Sequence, residues 1–284
     1  MQIQKSDQDI ALQVTDKAIK NKIFGATFLI AAIYFLVTLS GFGYTFWQAS
    51  DMGSISWGWK IALIITHLLP FVIVPVTMKI FYDRADYLVS KGLHSPFALY
   101  LGLPFQMVAI AFEIGWHIQQ NWFYQNDYTF LNFLFYAFLI SSFALWADAF
   151  ARNKWVDILF VGSLLAISVL YPLGASLDIS AFKIPIYIAL TIVFGFLTYR
   201  AYKVLQDWRI IFVPIFSVGV NLFFVFLLAQ HQSNPTLNPL FHILHDLAGT
   251  EMGVIIFAYL VYINPLRQAN SKSLQQAQDK GVYR

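Results

Sequence analysis

Two histidines in otherwise apolar segments each stand four residues from a carboxylate. In AFEIGWHIQQN, Glu113 precedes His117, and in NPLFHILHDLAG, Asp246 follows His242. Residues four apart share one face of an α-helix, so each imidazole is expected to meet its carboxylate. A metal-bound histidine commonly has its second ring nitrogen held by a carboxylate or a carbonyl. The spacing therefore favours a metal or catalytic role for both pairs.

The absence of cysteine limits the chemistry that these residues can support. Thiolate metal sites, disulfides and a cysteine nucleophile are excluded, which leaves imidazoles and carboxylates as ligands. Three such ligands with one open position form the arrangement of catalytic zinc, which lowers the pKa of bound water to about 7. A nearby carboxylate would then act as general base and acid, and Glu113, Asp246 and Glu251 are the candidates.

The elements that must position these residues are membrane helices. The chain of 284 residues is 58% hydrophobic and 12% charged, with mean hydropathy +0.62, whereas a soluble domain carries about a quarter charged residues. About 20 apolar residues span the hydrocarbon core as a helix, and the runs are too long and continuous for barrel strands. We predict an all-α bundle of eight spans: 23–47, 57–82, 97–120, 128–151, 155–173, 184–204, 209–231 and 239–263.

The loops predict the orientation of the bundle. All lysines and arginines except Lys60 and Lys183 fall in the N-terminal segment, the even-numbered loops or the tail. By the positive-inside rule, both termini are cytoplasmic. We therefore divide the chain into a cytoplasmic N-terminal segment (1–22), a transmembrane domain (23–264) and a loosely ordered cytoplasmic tail (265–284). The short loops favour a bacterial inner membrane, with the odd-numbered loops facing the periplasm.

Polar side chains collect in the outer half of the predicted bundle, which holds every histidine except His94. At 1.5 Å per residue, His67 lies about 15 Å below the outer end of its span and Glu251 about 18 Å below the start of the last. Asn238 is a natural N-cap for that last span. Each residue also has a structural interpretation: His231 as an interfacial anchor, and His67 and Glu251 as buried groups bonded to neighbouring helices.

A site about 10 Å below the outer surface suits a lipid whose scissile bond lies near its headgroup. The arrangement resembles the CREST superfamily of membrane hydrolases, which includes alkaline ceramidases, progestin and adiponectin receptors and hemolysin III relatives. LFHILHDLAG is similar to the ceramidase stretch around WHILTG, and spans three to eight would match the family's second to seventh helices. The resemblance implies a zinc-dependent hydrolase that cleaves a lipid amide or ester.

The resemblance also implies site residues. His117 occupies the position of the family's first zinc histidine, His242 that of the second histidine of the final pair, and Asp127 or Asn132 lies near the family's aspartate. The chain departs from the family pattern at two positions: Glu113 replaces a serine, and Asn238 replaces the first histidine of the final pair. The third zinc ligand would then be His245 or Asp246.

Three other classes fit the same residues. Paired histidines such as His67 with His117 or His242 could ligate haem, although the outer side lacks basic residues for the propionates. Glu113, Glu251 and His67 could form a proton or cation path in a transporter, although the inner half offers little beyond Gln106 and Asn221. A receptor or scaffold could keep the polar cluster for helix packing alone. Nothing in the sequence indicates a nucleic-acid partner.

Overall fold

The computed structural model describes residues 55–123, 129–150, 154–177 and 184–279, together with scattered helical positions between 25 and 36. These parts of the chain contain helices and no strands. The helices are α1 (Trp57–Leu68), α2 (Pro70–Asp83), α3 (Ala85–Ser90), α4 (Pro96–Gln119), α5 (Phe130–Phe150), α6 (Lys154–Leu177), α7 (Ile184–Leu205), α8 (Phe212–Gln230), α9 (Leu237–Leu244) and α10 (Met252–Asp279). A 3₁₀ turn, Trp208–Ile211, precedes α8, and a π-helical segment, His245–Glu251, joins α9 to α10.

Six stretches of these helices are long and apolar enough to cross a membrane. They are Trp57–Asp83, Pro96–Gln119, Phe130–Phe150, Ile184–Leu205, Trp208–Gln230 and Leu237–Pro265. The predicted fifth span falls in α6, whose apolar part is the shorter helix Val161–Leu177. The predicted first span, 23–47, lies outside the described residues apart from isolated helical positions. The all-helical membrane bundle is thus confirmed.

The first described span is broken between α1 and α2. Pro70 begins α2, and a proline lacks the amide hydrogen that would continue the backbone ladder of α1. The Leu69 amide instead bonds the carbonyl oxygen of Thr66 at 3.1 Å. The break follows directly after His67, so this imidazole projects from the last turn of α1 into the bundle.

Helices α4 and α5 form the closest pair in the core. A Cβ at Gly102 would lie 2.1 Å from the indole nitrogen of Trp146, so only glycine fits there. That indole donates to the carbonyl oxygen of Leu99 at 3.0 Å, and Ser142 Oγ donates to the Gly102 carbonyl at 2.7 Å. These bonds satisfy polar groups that the bilayer cannot, and they fix the rotation of α4 relative to α5.

The end of α7, the start of α8 and α10 meet at a polar cluster. The Asp207 carboxylate accepts from Arg209 Nε at 2.8 Å and from the Asn264 amide at 3.4 Å. Hydrogen bonds from Arg209 hold the pKa of Asp207 below its ordinary value. The Tyr87 hydroxyl, in α3, donates a hydrogen bond to Asn264. The cluster therefore connects the short helix α3 to the bundle.

The last span differs from its prediction at both ends. It begins at Leu237, with Thr236 as the N-cap residue. The Asn234 side-chain oxygen, two residues earlier, accepts from the amides of Thr236 at 3.0 Å and Leu237 at 2.9 Å. Asn238, expected at the N-cap, instead lies in the first turn. At the other end α10 continues through Pro265 to Asp279, whereas the sequence predicted a loosely ordered tail from residue 265.

Candidate metal centre

Three separate helices bring His67, His117 and His242 together. His67 lies at the end of α1, His117 near the end of α4 and His242 in α9. One ring nitrogen from each lies within 4.8 Å of the others. The ring centroids are 4.3 Å apart for His117 and His242, and 4.7 and 5.0 Å for His67 with each of them. His117 and His242 are fully buried and His67 is 3% exposed.

The backbone of α1 fixes which nitrogen of His67 faces the other imidazoles. Its Nδ1 lies 2.9 Å from the carbonyl oxygen of Leu63, one turn earlier. A carbonyl oxygen only accepts, so Nδ1 carries the proton and donates. The Nε2 of a neutral His67 is therefore a lone-pair acceptor turned into the cluster. A backbone carbonyl on the second nitrogen is the usual support of a metal-bound histidine.

Two carboxylates border the three imidazoles. Asp246 Oδ2 lies 3.3 Å from His67 Nε2 and 3.4 Å from His242 Nε2. Glu113 Oε1 lies 3.9 Å from His117 Nε2. Oxygens of Glu113 and Asp246 and a nitrogen of His67 form a second group within 4.8 Å. The i, i+4 spacings seen in the sequence thus converge on one place.

The π-helical segment sets the positions of His245 and Asp246. A π-helix closes each backbone bond one residue later than an α-helix and often marks a functional site. His245 Nδ1 lies 2.9 Å from Asp246 Oδ1, on the opposite carboxylate oxygen from the one facing His67 and His242. His245 is partly exposed and does not belong to the three-histidine group. It contacts the group through Asp246.

A strained turn that follows α4 covers the imidazoles. Asn121 and Trp122 have φ of 51° and 63°, in the left-handed region that a residue with a bulky side chain rarely adopts. The Trp122 amide bonds the His117 carbonyl oxygen at 2.7 Å, and Lys60 Nζ donates to Asn121. The turn stacks the Trp122 indole on His117, with centroids 6.0 Å apart, and packs its edge against His67 at 5.3 Å.

A cavity of about 220 Å³ extends from the histidine cluster into the bundle. Its lining is mainly aromatic and aliphatic, with His67, His245, Glu113, Asp246 and Glu251 among the polar residues. Glu251, at the end of the π-helical segment, is 6% exposed. The cavity therefore joins the candidate metal centre to an apolar interior.

The remaining predicted residues lie apart from the cluster or outside the described chain. His231 packs against Phe241 with centroids 5.5 Å apart, at the end of α8. Asn238 is buried and bonds the Gln232 carbonyl oxygen at 3.4 Å. His94 precedes the start of α4, at the opposite end of that helix from His117, and its amide donates to the Ala149 carbonyl oxygen. Asp127 lies outside the described residues.

The sequence did not reveal the importance of three features of the site. His67 was given a supporting role, whereas it is one of the three clustered imidazoles. Trp122 was not singled out, because neither it nor Asn121 is a glycine that would signal a left-handed turn. Ser217, which was not singled out, lines the cavity together with Asn221, which was named only as a polar residue in the transporter alternative. The sequence did contain one signal for them: Gly249 and Gly253 are four residues apart, and such a pair allows a neighbouring helix to pack closely against the last span.

The fold and the cluster together define a polytopic helical membrane protein with a buried histidine and carboxylate centre. Residues 59–267 match the family model described as a seven transmembrane receptor, and the chain belongs to that family. The matched region contains the helices from α1 to the transmembrane part of α10. Among curated proteins and solved structures, none matches the chain.

This membership corrects two predictions. The resemblance to the CREST hydrolases was wrong, since the family is that of a seven transmembrane receptor. Hydrolysis of a lipid amide or ester by a ceramidase-like enzyme was wrong with it. The shared features were helix number and polar residues at one membrane face, which bilayer physics imposes on many bundles. Glu113 and Asn238, at positions where the hydrolases have serine and histidine, were the specific residues that disagreed.

Proposed function

We propose that this chain is a receptor-like membrane protein whose outer-half core is held by a transition-metal ion, with zinc the best fit. The observation that carries the proposal is the convergence of three buried imidazoles from α1, α4 and α9 within 4.8 Å. Imidazole and carboxylate ligands without thiolates suit Zn²⁺, at nitrogen distances of about 2.0–2.1 Å. A bound ion would join the first and last described spans through α4.

The contacts of His67 favour a cation between the side chains. Its Nε2 and the Asp246 Oδ2 are both acceptors when the imidazole is neutral, yet they lie 3.3 Å apart. Two lone pairs at this distance repel unless a positive charge lies between them. A metal ion bound by three imidazoles supplies that charge for His67 and His242 at once, since both face the same oxygen.

Asp246 and His245 have distinct parts in this proposal. Asp246 Oδ2, which faces both His67 and His242, would be the fourth ligand, and His245 would orient the carboxylate through Oδ1. Three imidazoles and one carboxylate complete a tetrahedral set, which is typical of structural rather than open zinc sites.

Haem fits less well, because centroid distances of 4.3–5.0 Å leave no room for a porphyrin plane between the imidazoles.

Elemental analysis of the detergent-purified protein tests the proposal. We expect about one zinc per chain, as four protein ligands hold one ion. His67→Ala, His117→Ala and His242→Ala should each lose it, while His94→Ala, outside the cluster, retains it. Full metal occupancy in the three cluster variants, or absence of metal from the wild type grown with zinc, would refute the proposal.

We further propose eight membrane spans with both termini in the cytoplasm of a bacterium and the metal centre near the periplasmic face. Support comes from the distribution of lysine and arginine and from the apolar run 23–47 before the matched region. The cysteine-free chain permits single-cysteine labelling in intact cells. A membrane-impermeant maleimide should label Gln232→Cys but not Lys91→Cys or Ser6→Cys. Labelling of Ser6→Cys from outside would mean seven spans.

A further inference from the structure

The cavity beside the metal centre has an acidic polar lining. Its carboxylates are Glu113, Asp246 and Glu251, and no lysine or arginine among the described residues lines it. Glu113 and Asp246 lie against the imidazoles of the metal centre. Glu251 forms no hydrogen bond or ion pair with any described residue, although it is only 6% exposed. A buried carboxylate without a protein partner points to a cationic ligand.

Hydrogen-bond acceptors accompany Glu251 in the same cavity. Gln106 Oε1, Ser217 Oγ and Asn221 Oδ1 are buried and have no hydrogen-bond partner among the described residues. Asn221 Oδ1 lies 2.3 Å from where a Cβ at Gly249 would be, and Ser217 Oγ lies 2.1 Å from that of Gly253. These two side chains thus pack against the last span two residues on either side of Glu251. An ammonium group has three donors and no acceptor, and so matches a carboxylate among oxygens.

The rest of the lining defines the body of the ligand. Aromatic and aliphatic side chains dominate, including Trp116, Phe143, Trp146, Phe194 and Phe257. Aromatic faces attract a desolvated cation as well as an apolar body. The volume of about 220 Å³ is below the range of drug-sized pockets, about 300–1,000 Å³. The space therefore suits a small molecule with one aromatic ring or short hydrocarbon body.

We propose that this cavity binds a small apolar molecule with a single protonated amine, and that Glu251 is its counter-ion. The proposal goes beyond the metal centre and does not depend on it. Glu113 and Asp246 stay with the imidazoles, and Glu251 faces the ligand. The two ammonium hydrogens that Glu251 leaves have acceptors available among the oxygens of Gln106, Ser217 and Asn221, which line the same cavity.

Calorimetric titration of the purified protein with three ligands of similar size and different charge tests the proposal. The probes are 2-phenylethylamine, 3-phenyl-1-propanol and 3-phenylpropanoate. The amine should bind the wild type at least about tenfold more tightly than the alcohol or the carboxylate, as expected for charge-assisted hydrogen bonds. Equal or tighter binding of the neutral or anionic probe would overturn the proposal without any variant.

Glu251→Gln removes the charge and keeps the size of the side chain. We expect amine affinity to fall about 10- to 100-fold while affinity for the alcohol stays unchanged. The control is Asp83→Asn, which removes a carboxylate that pairs with Lys79 outside the cavity. Unchanged amine affinity in Glu251→Gln would reject the counter-ion role. Zinc content measured on the same samples separates a failure of the ligand site from a failure of the metal site.

Discussion

His67 Nε2 and Asp246 Oδ2 lie 3.3 Å apart although they belong to the first and last described spans. His67 projects from a helix end created by Pro70, and Asp246 from a π-helical segment. Two local departures from regular α-helix thus meet at one point. Departures of this kind re-aim side chains, and here they turn an imidazole and a carboxylate toward His117 and His242.

Asp246→Asn should weaken zinc binding while it preserves the size of the side chain. The amide removes the negative charge that faces His67 and His242. We therefore expect zinc affinity to fall by at least about 10- to 100-fold, which is the cost of losing a group that only orients a ligand. Competition with a chromophoric chelator measures the change. Glu113→Gln is the matched comparison, since Glu113 lies 3.9 Å from His117 and faces that imidazole alone. A larger loss in Glu113→Gln would assign the fourth ligand to Glu113 instead.

Trp122→Ala should speed metal release and leave the zinc stoichiometry unchanged. The indole covers His117 and His67 but offers no ligand atom to them. The shell around a metal site controls the access of solvent, so removing the indole admits water and chelator to the centre. We therefore expect EDTA to extract the zinc about tenfold faster or more. Stopped-flow or timed elemental analysis follows the loss. The control is Trp155→Ala, an exposed tryptophan in α6; equal rates in both variants would contradict a covering role.

Gly102→Ala should destabilise the bundle by about 1–3 kcal/mol, the usual cost of overpacking. The added methyl would lie 2.1 Å from the Trp146 indole nitrogen, whose bond to Leu99 holds the ring in place. Gly162→Ala is the control, because nothing lies within 4 Å of the Cβ that it adds in α6. Thermal unfolding in detergent compares the two. A melting temperature of Gly102→Ala equal to that of Gly162→Ala would mean that α4 and α5 are not packed this closely.

The Asp207 cluster should contribute stability that depends on pH. The folded pKa of Asp207 lies below its ordinary value of about 3.9 because Arg209 donates to the carboxylate. The stabilisation is therefore fully present above the unfolded pKa and is lost as the pH falls through the lower folded value. The difference in melting temperature between the wild type and Asp207→Asn should be constant above about pH 5 and shrink below about pH 4. Asp83→Asn, at a carboxylate that pairs with Lys79 away from this cluster, is the control, and an equal trend in that variant would contradict a specific contribution of Asp207.

The sequence predicted the helices and two of the three imidazoles for clear physical reasons. Hydrophobic length alone locates membrane helices, because the bilayer forces every backbone bond inside the segment. The i, i+4 spacing located His117 beside Glu113 and His242 beside Asp246. Both signals lie within a single helix, so they can be found without knowing how the helices pack.

The arrangement between helices was not available from the sequence. The break at Pro70 and the π-helical segment change the direction of His67 and the register of Asp246, and neither follows from hydrophobic periodicity. The choice between His245 and Asp246 depended on that register. The family could not be identified from polar residues at one membrane face, since those positions reflect the cost of burying charge in any bundle.

Gly249 and Gly253 have a mechanical consequence for the receptor-like bundle. Asn221 and Ser217 occupy the notches that these glycines leave, so α8 cannot slide or rotate against the last span unless both side chains withdraw. This interlocking couples the two helices mechanically. The first described span is instead interrupted at Leu69–Pro70, where proline supplies no amide hydrogen for the backbone ladder. Any bending of the bundle would therefore concentrate at this break, while α8 and the last span stay together.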